Sequence, residues 1–228
     1  MTKSYDNLAR CYAWLERLVF GNLLARVRQE VLCNLLTNLQ AGQRVLILGE
    51  GDGRFLQYFS RQCQVVCEVD CVDKSKAMLA RARARLANNT LLTVNFIHAD
   101  VTCDFPTNSQ YDTPYDAVVS LFFLDNFNIE TLEHLTHTIS YQLRAGGYWY
   151  MADFRVGKQR RNNRFLLWVM YRFFRLTTDI EARSLVDPTK WLEQHLTLST
   201  RRPWQGGFVV SETWQRQHKH QRQHEYQR

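Results

Sequence analysis

The chain has 228 residues, enough for one α/β domain with a full core or for two small domains. Apolar residues make up 45% of it and charged residues 22%, a balance that excludes wholesale disorder. The formal net charge is +7, with +6 in 155–183 and +3 in 216–228, so the rest of the chain is at −2. Such basic segments fit either a nucleic-acid enzyme or a protein that touches an anionic membrane surface.

The sequence contains no sign of a metal site or of a membrane span. Its six cysteines include no Cys-x-x-Cys pair, and its apolar runs are far shorter than the roughly 20 residues that cross a bilayer. The start of the chain lacks a charged-then-apolar signal pattern. We therefore expect reduced thiols, no bound metal and a cytoplasmic location, with peripheral membrane contact as a further option.

Apolar residues recur at helical spacing over 5–40, and Gly42 ends this stretch. Short apolar runs then alternate with segments rich in helix formers, which predicts a parallel sheet with helices on both faces. The predicted strands are 44–48, 65–73, 93–98, 115–121 and 148–154, and a helix is predicted over 129–143.

The part of the chain after 154 is predicted to be helical and then to form a hairpin. A helical segment is expected at 162–176 and a short helix at 188–195. Two strand-like runs, 196–200 and 207–214, flank the turn residues 203–206, which favours a hairpin. The polar end, 216–228, cannot bury enough apolar surface to become ordered, so we expect it to be disordered.

A glycine-rich turn follows the first predicted strand, with Gly49, Gly51 and Gly53 at alternate positions. The turn departs from a dinucleotide loop because Arg54 occupies the place of the last glycine, and it lacks the Gly-Lys-Ser/Thr of a Walker loop. Alternate glycines let the backbone pass close under a ligand, and the following helix N-terminus favours a negative group such as a carboxylate.

Further polar positions follow the next three strands. Asp73 ends the second strand, where a carboxylate can accept hydrogen bonds from both hydroxyls of a ribose. After the third strand, Asp100 can accept from an adenine amino group, and the Val101 N–H can reach a ring nitrogen. The segment from Ser120 to Asp125 ends the fourth strand and is expected to line the same crevice, at the carboxyl ends of the strands.

Together these segments resemble the class I S-adenosylmethionine-dependent methyltransferases, in order and spacing, over about residues 40–154. The segments that carry the resemblance are 45–55, 72–75 with Met78 and Leu79, 98–101, 115–119 and 143–147. The resemblance implies one Rossmann-like α/β domain with a doubly wound seven-stranded sheet and an antiparallel C-terminal hairpin strand. It also implies S-adenosylmethionine as the cofactor.

The resemblance assigns the cofactor site to particular residues. Ile47 stands where the family often has an acidic residue, so Glu50 becomes the candidate contact for the amino group of the cofactor. The candidate cofactor-binding residues in the methyltransferase region are Gly49, Glu50, Gly51, Gly53, Asp73, Lys74, Asp100, Val101 and Ser120.

The N-terminal residues Tyr5 to Tyr12 are similar to the Tyr-Asp-x-x-Ala-x-x-Tyr opening of ubiquinone- and menaquinone-type methyltransferases, in which this helix closes over the cofactor. We therefore expect 1–40 to form a helical lid over a domain at 41–215, with Tyr5 and Tyr12 at the cofactor. Core packing is the alternative role for both tyrosines.

Candidates for chemistry and for acceptor binding lie later in the chain. An oxygen acceptor would need a base, for which Asp125 and Asp153 are candidates. The candidate acceptor contacts are Phe122, Phe123, Trp168 and Tyr171. In the insertion 155–195, residues 161–176 would place arginines along one edge of an apolar helix, which suits a cover over a greasy acceptor or a membrane surface. A buried helix with a solvated arginine edge is the alternative.

The sequence thus predicts an enzyme that transfers a methyl group from S-adenosylmethionine to a small, aromatic or lipid-like acceptor. A nucleic-acid or protein methyltransferase that uses the basic segments is one alternative. A non-catalytic protein of the same fold that binds a nucleoside or a partner is the other.

Overall fold

The structure is a computed structural model that describes residues 22–103, 105, 114–155 and 186–217. The predictions for Tyr5, Tyr12, Trp168 and Tyr171, the whole of 161–176 and the end of the chain from 218 to 228 fall outside these residues. The helices and strands in chain order are α1 (Leu23–Asn38), β1 (Gln43–Leu48), α2 (Arg54–Gln62), β2 (Cys67–Asp73), α3 (Lys76–Arg85), β3 (Leu92–His98), β4 (Tyr115–Leu121), α4 (Ile129–Gln142), β5 (Leu143–Phe154), α5 (Thr189–Leu192), β6 (Leu196–Trp204) and β7 (Val209–Arg216).

Seven strands form one sheet in the order β3-β2-β1-β4-β5-β7-β6. The first five are parallel to one another, and β7 runs antiparallel to both β5 and β6. The Rossmann-like sheet with an antiparallel C-terminal hairpin is therefore confirmed. Because β1 lies between β2 and β4, the strand order reverses at β1, and ligands of such sheets bind beside that point.

Alternate residues of β1 face the two helical layers. Val45 and Ile47 pack with α1 and α2 in one apolar cluster, whereas Leu46 and Leu48 pack with α4 and α5 in the other. All four side chains are at most 2% exposed. Burial on both faces explains why β1 is a continuous apolar run, and it leaves the carboxyl ends of the strands at one edge of the sheet.

The boundaries of β5 differ from the prediction. The strand begins at Leu143, five residues before the predicted start, because Leu143 already pairs with Tyr115 of β4. The pairing register shifts between Tyr115 and Ala117, and this irregularity accommodates the Gly146–Gly147 pair within the strand. The glycines that predicted a helix stop therefore lie inside a strand.

The C-terminal hairpin is confirmed, with a longer first strand than predicted and a second strand that begins two residues later. β6 continues through Pro203 to Trp204, and the turn is formed by Gln205–Gly207. The helix predicted at 188–195 is limited to Thr189–Leu192. None of the described helices combines the length and apolarity that a membrane-spanning helix requires.

A buried ionic cluster connects β5 to the hairpin and to the chain before α5. Arg155 donates to Glu212 at 2.9 Å and also pairs with Asp187. Glu212 accepts a second bond from Arg201 at 2.6 Å and a third from the Trp214 ring N–H at 3.0 Å. Since Glu212 is only 3% exposed, these donors compensate a charge that would otherwise be costly to bury.

Candidate cofactor and acceptor site

The three glycines of the turn after β1 have positive φ angles of 64°, 64° and 85°, but different surroundings. A Cβ on Gly49 would overlap the Phe123 ring, and one on Gly53 would come within 2.8 Å of the Ala82 Cβ. A Cβ on Gly51 would meet nothing within 4 Å. The first and third glycines therefore serve close packing, whereas open space suited to a ligand lies beside Gly51.

Asp73 fixes this turn from the end of β2. One carboxylate oxygen accepts from the Gly51 N–H at 3.0 Å, and the other accepts from the Ser75 N–H at 2.8 Å. Ser75, not Asp73, caps α3, because its hydroxyl accepts from the Met78 N–H at 3.3 Å. Burial raises the pKa of Asp73, and the two backbone donors oppose that shift. Each oxygen keeps a second lone pair with which it could accept from a ribose hydroxyl.

Glu50 lies inside the turn and accepts from the Leu56 N–H of α2 at 3.0 Å. Burial raises the pKa of Glu50 to about 8, and the positive charge of Arg28 acts in the opposite direction. The Arg28 guanidinium also lies 5.4 Å from the centre of the Phe122 ring. A carboxyl group and a guanidinium therefore approach the turn together, a pair that could hold the amino and carboxylate groups of an amino acid.

Arg28 is a site residue that the sequence analysis did not identify. It lies on α1, in the stretch expected to form a lid, and nothing in its local sequence distinguishes it from Arg26. The pattern of apolar residues in α1 would have indicated only which side of the helix is buried. The approach of Arg28 to Glu50 and Phe122 depends on how α1 packs against α2, β5 and β7, which is tertiary information.

The residues predicted to bind an adenine lie at the end of β3. Asp100 is exposed, and one of its oxygens accepts from the Thr102 hydroxyl at 2.7 Å and from the Thr102 N–H at 3.0 Å. The hydroxyl bond is the main cause of the lowered pKa of Asp100, so this carboxylate stays ionised. Val101 is 8% exposed and packs in the cluster with α4, whereas Lys74 is exposed beside Asp73.

Ser120 has a different role from the predicted one. Its side chain is fully buried, and its hydroxyl accepts from the Trp149 ring N–H at 2.9 Å. This bond joins β4 to the neighbouring strand β5 inside the core. The Ser120 side chain is thus committed to holding the sheet together, and the residues of this segment that approach the crevice are those that follow β4.

Aromatic side chains surround the end of β4. Phe122 adopts a positive φ of 55°, an uncommon conformation for a residue with a side chain, and its ring lies 5.3 Å from that of Phe154. The Phe123 ring covers Gly49 and makes an edge-on contact with Phe127 at 5.0 Å. Phe122 and Phe123, both predicted acceptor contacts, therefore lie next to the glycine turn.

The two candidate catalytic carboxyl groups lie together beneath these rings. Asp153, at the end of β5, is 3% exposed and accepts from the Phe123 N–H at 2.9 Å. Asp125 lies in the short 3₁₀ turn Leu124–Asn126, and burial raises its pKa to about 7. Burial and the charge of Asp125 raise the pKa of Asp153 well above its ordinary value.

A family model described as a methyltransferase domain matches residues 45–147. This range contains the glycine turn, Asp73, Asp100 and Asp125. No curated protein matches the chain.

Solved methyltransferase structures share the fold of this chain. Magnesium protoporphyrin IX methyltransferase from Synechocystis PCC 6803, with bound S-adenosylhomocysteine (SAH), is 16% identical over 94% of this chain and 95% of its own, with a TM-score of 0.63. An O-methyltransferase family protein from Burkholderia thailandensis is 14% identical over 88% and 59%, with a TM-score of 0.60. The CurJ carbon methyltransferase is 16% identical over 90% and 61%, with a TM-score of 0.57.

At these identities the structural likeness establishes the fold, and the family match adds the domain type. The turn with open space beside Gly51, the carboxylate of Asp73 and the order of the strands agree with both findings. Residues 45–147 therefore match a methyltransferase domain, and the chain has the fold of the S-adenosylmethionine-dependent methyltransferases that it resembles.

Proposed function

We propose that this enzyme methylates a small, aromatic or lipid-like acceptor. The observation that carries the proposal is the presence of two aromatic pairs beside the ends of β4 and β5, Phe122 with Phe154 and Phe123 with Phe127, one in each apolar cluster of the domain. Phe123 lies against the glycine turn, so an acceptor packed on its ring would lie next to the cofactor. Ring faces and edges favour an apolar or aromatic partner over a strongly hydrated one.

The proposed cofactor contacts follow from the same geometry. Asp73 would bind the ribose hydroxyls, Asp100 and the Val101 N–H would bind the adenine, and Glu50 with Arg28 would bind the amino acid end. The open space beside Gly51 gives the cofactor room at the turn. When bound, S-adenosylmethionine supplies an electrophilic methyl group on a sulfonium. The chain's own contribution is then to hold the acceptor in line with that methyl group and to exclude water.

The name of one similar structure supports a small molecule, since the Synechocystis enzyme is named for magnesium protoporphyrin IX. CurJ is named as a carbon methyltransferase, which states an atom and no molecule. Neither name specifies the acceptor atom for this chain. The basic segments that favour nucleic acid lie almost wholly outside the described residues. Methylation of nucleic acid is therefore one of the outcomes that the following experiment distinguishes.

The test is transfer from radiolabelled S-adenosylmethionine by the full chain to three classes of acceptor: aromatic hydroxyl compounds with fatty acids, total RNA, and total protein. We expect label only in the small molecules.

We also expect Phe122→Leu to raise the KM for such an acceptor several-fold and to leave SAH affinity unchanged. Phe96→Leu is the matched control, since Phe96 is a half-buried phenylalanine at the far edge of the sheet, on β3. Label confined to RNA or protein would refute the proposal.

A further inference from the structure

Asp153 is a buried carboxyl group with an incomplete set of hydrogen bonds. Its Oδ1 accepts from the Phe123 N–H, whereas its Oδ2 is buried and has no hydrogen-bond partner among the described residues. A buried polar atom without a partner costs about 1–3 kcal/mol. Native structures retain such atoms mainly where function requires them, so Asp153 calls for an explanation beyond folding.

The charges around Asp153 favour a proton on the pair that it forms with Asp125. Burial disfavours the charged form of both carboxyl groups, and the negative charge of Asp125 further opposes ionisation of Asp153. Arg155 is the cation that acts on Asp153, and its guanidinium already pairs with Glu212 and Asp187. The pair therefore holds a proton near neutral pH, and the two groups titrate together.

Asp125 lies in the turn after β4 and is the more accessible of the two carboxyl groups. Asp153 is 3% exposed, whereas Asp125 is partly exposed. The Asn126 side chain donates to Asp125 Oδ1 at 3.1 Å and to the carbonyl oxygens of Phe122 and Phe123 at 3.0 and 2.9 Å. The strained backbone at Phe122 begins this turn, and strain of this kind concentrates at functional sites.

We propose that Asp125 is the general base for an acceptor hydroxyl and that Asp153 is the positioning residue that holds the turn carrying it. This inference rests on the proposed function and narrows the acceptor to an oxygen nucleophile, such as a phenol or an enol. Asp153 acts through its bond to the Phe123 N–H and through its proximity to Asp125. A general base works best when it changes protonation near the operating pH.

The step conserves atoms and charge. Asp125, as the carboxylate, takes the hydroxyl proton of the acceptor while the acceptor oxygen uses a lone pair to form a bond to the methyl carbon. The bond between that carbon and the sulfonium sulfur breaks, and its electron pair stays on sulfur as SAH forms. Asp125 then releases the proton to solvent.

The first test compares acceptors that do and do not need a base. We measure transfer to a phenol that is protonated at neutral pH and to a dinitrophenol that is already ionised. Asp125→Asn should slow transfer to the first by about 100-fold or more, the usual scale of general-base catalysis, and transfer to the second by much less. Glu130→Gln, an exposed carboxylate nearby on α4, is the matched control and should change neither rate. Each variant must bind SAH as the wild type does.

Asp153→Asn should lower the rate with the protonated phenol and displace the pH profile, because the neighbouring carboxyl that perturbs Asp125 is gone. If Asp125→Asn slowed methyl transfer to both phenols equally, Asp125 would have a structural role and would not be the general base. The proposed function would then still stand. If the wild type bound SAH but transferred a methyl group to none of the small molecules, the proposed function would be wrong.

The second test requires no acceptor and no variant. Carbon-13 shifts of the aspartate carboxyl groups are followed against pH in the full chain. We expect one group to titrate near pH 7, in line with the raised pKa of Asp125, and a second to titrate well above its ordinary range, in line with the raised pKa of Asp153. Titration of every aspartate below about pH 5, near the ordinary range, would overturn the inference.

Discussion

Asp73 accepts a hydrogen bond from the Gly51 N–H at 3.0 Å, so the carboxylate proposed to bind a ribose also shapes the turn beside the cofactor. Its second oxygen receives the Ser75 N–H at the start of α3. One side chain thus joins the loops after β1 and β2. Loss of Asp73 should therefore disturb both the ribose contact and the loop geometry.

For Asp73, we expect replacement by Ala to weaken SAH binding by about 1–3 kcal/mol, the scale of losing hydrogen bonds to a charged group. Asp73→Asn keeps one acceptor oxygen, so it should lose less of the affinity for SAH than Asp73→Ala does. Titration calorimetry of both variants measures the difference. Affinity unchanged in Asp73→Ala would contradict the ribose role.

The glycine turn allows packing and ligand binding to be separated. Gly53→Ala should lower the free energy of unfolding by about 1–3 kcal/mol, because its methyl group meets Ala82. Gly51→Ala adds only backbone strain of about 1–2 kcal/mol, yet its methyl group enters the proposed cofactor space. Urea unfolding and SAH calorimetry on both variants check this. A Gly51→Ala protein with full SAH affinity would show that the cofactor lies elsewhere.

Arg28→Gln should weaken binding of SAH by roughly 10- to 150-fold, because a charged hydrogen bond contributes about 1.5–3 kcal/mol. Binding of 5′-methylthioadenosine, which lacks the amino acid end, should not change. Arg26→Gln is the matched control, since Arg26 lies on the same helix but beside Trp204. Equal losses for both ligands would show that Arg28 supports the fold of the site and does not bind the amino acid end.

Glu50 should make stability depend on pH. Its pKa is about 8 in the fold against an ordinary value of 4.5, so the stability that the protonated side chain provides is complete below pH 4.5 and is lost as the pH rises through 8. Glu50→Gln cannot ionise, so its Tm relative to wild type should rise between pH 5 and pH 8. Thermal unfolding across this range measures the difference, with Glu130→Gln as an exposed control. A difference independent of pH would refute the raised pKa.

Membrane contact of the basic segment 161–176 stays a prediction from the sequence. The full chain should sediment with vesicles that contain phosphatidylserine, and less of it should do so at high salt. Replacing Arg164, Arg172 and Arg175 with Gln should reduce that fraction. Equal sedimentation of the two proteins would show that these arginines do not contribute to membrane binding.

The sequence predicted the parts of the site that lie within short motifs. Gly49 to Gly53 and Asp73 could be recognised because each is a residue type at a fixed place after a strand. Ser120 was misassigned, since the alternation of β4 turns its side chain into the core towards Trp149. Arg28 was missed because its role depends on the packing of a helix against distant strands. Asp125 and Asp153 were identified singly, and their contact arises because β4 and β5 are neighbours.

The pairing of Arg155 with Asp187 brings together the two ends of the segment 156–185. The residues on either side of this segment are thus held in place by the sheet and the hairpin, whatever the sequence of the segment. Exchange of this segment for another of similar length should therefore leave the sheet folded, because both of its neighbouring residues are held by contacts that the segment does not supply.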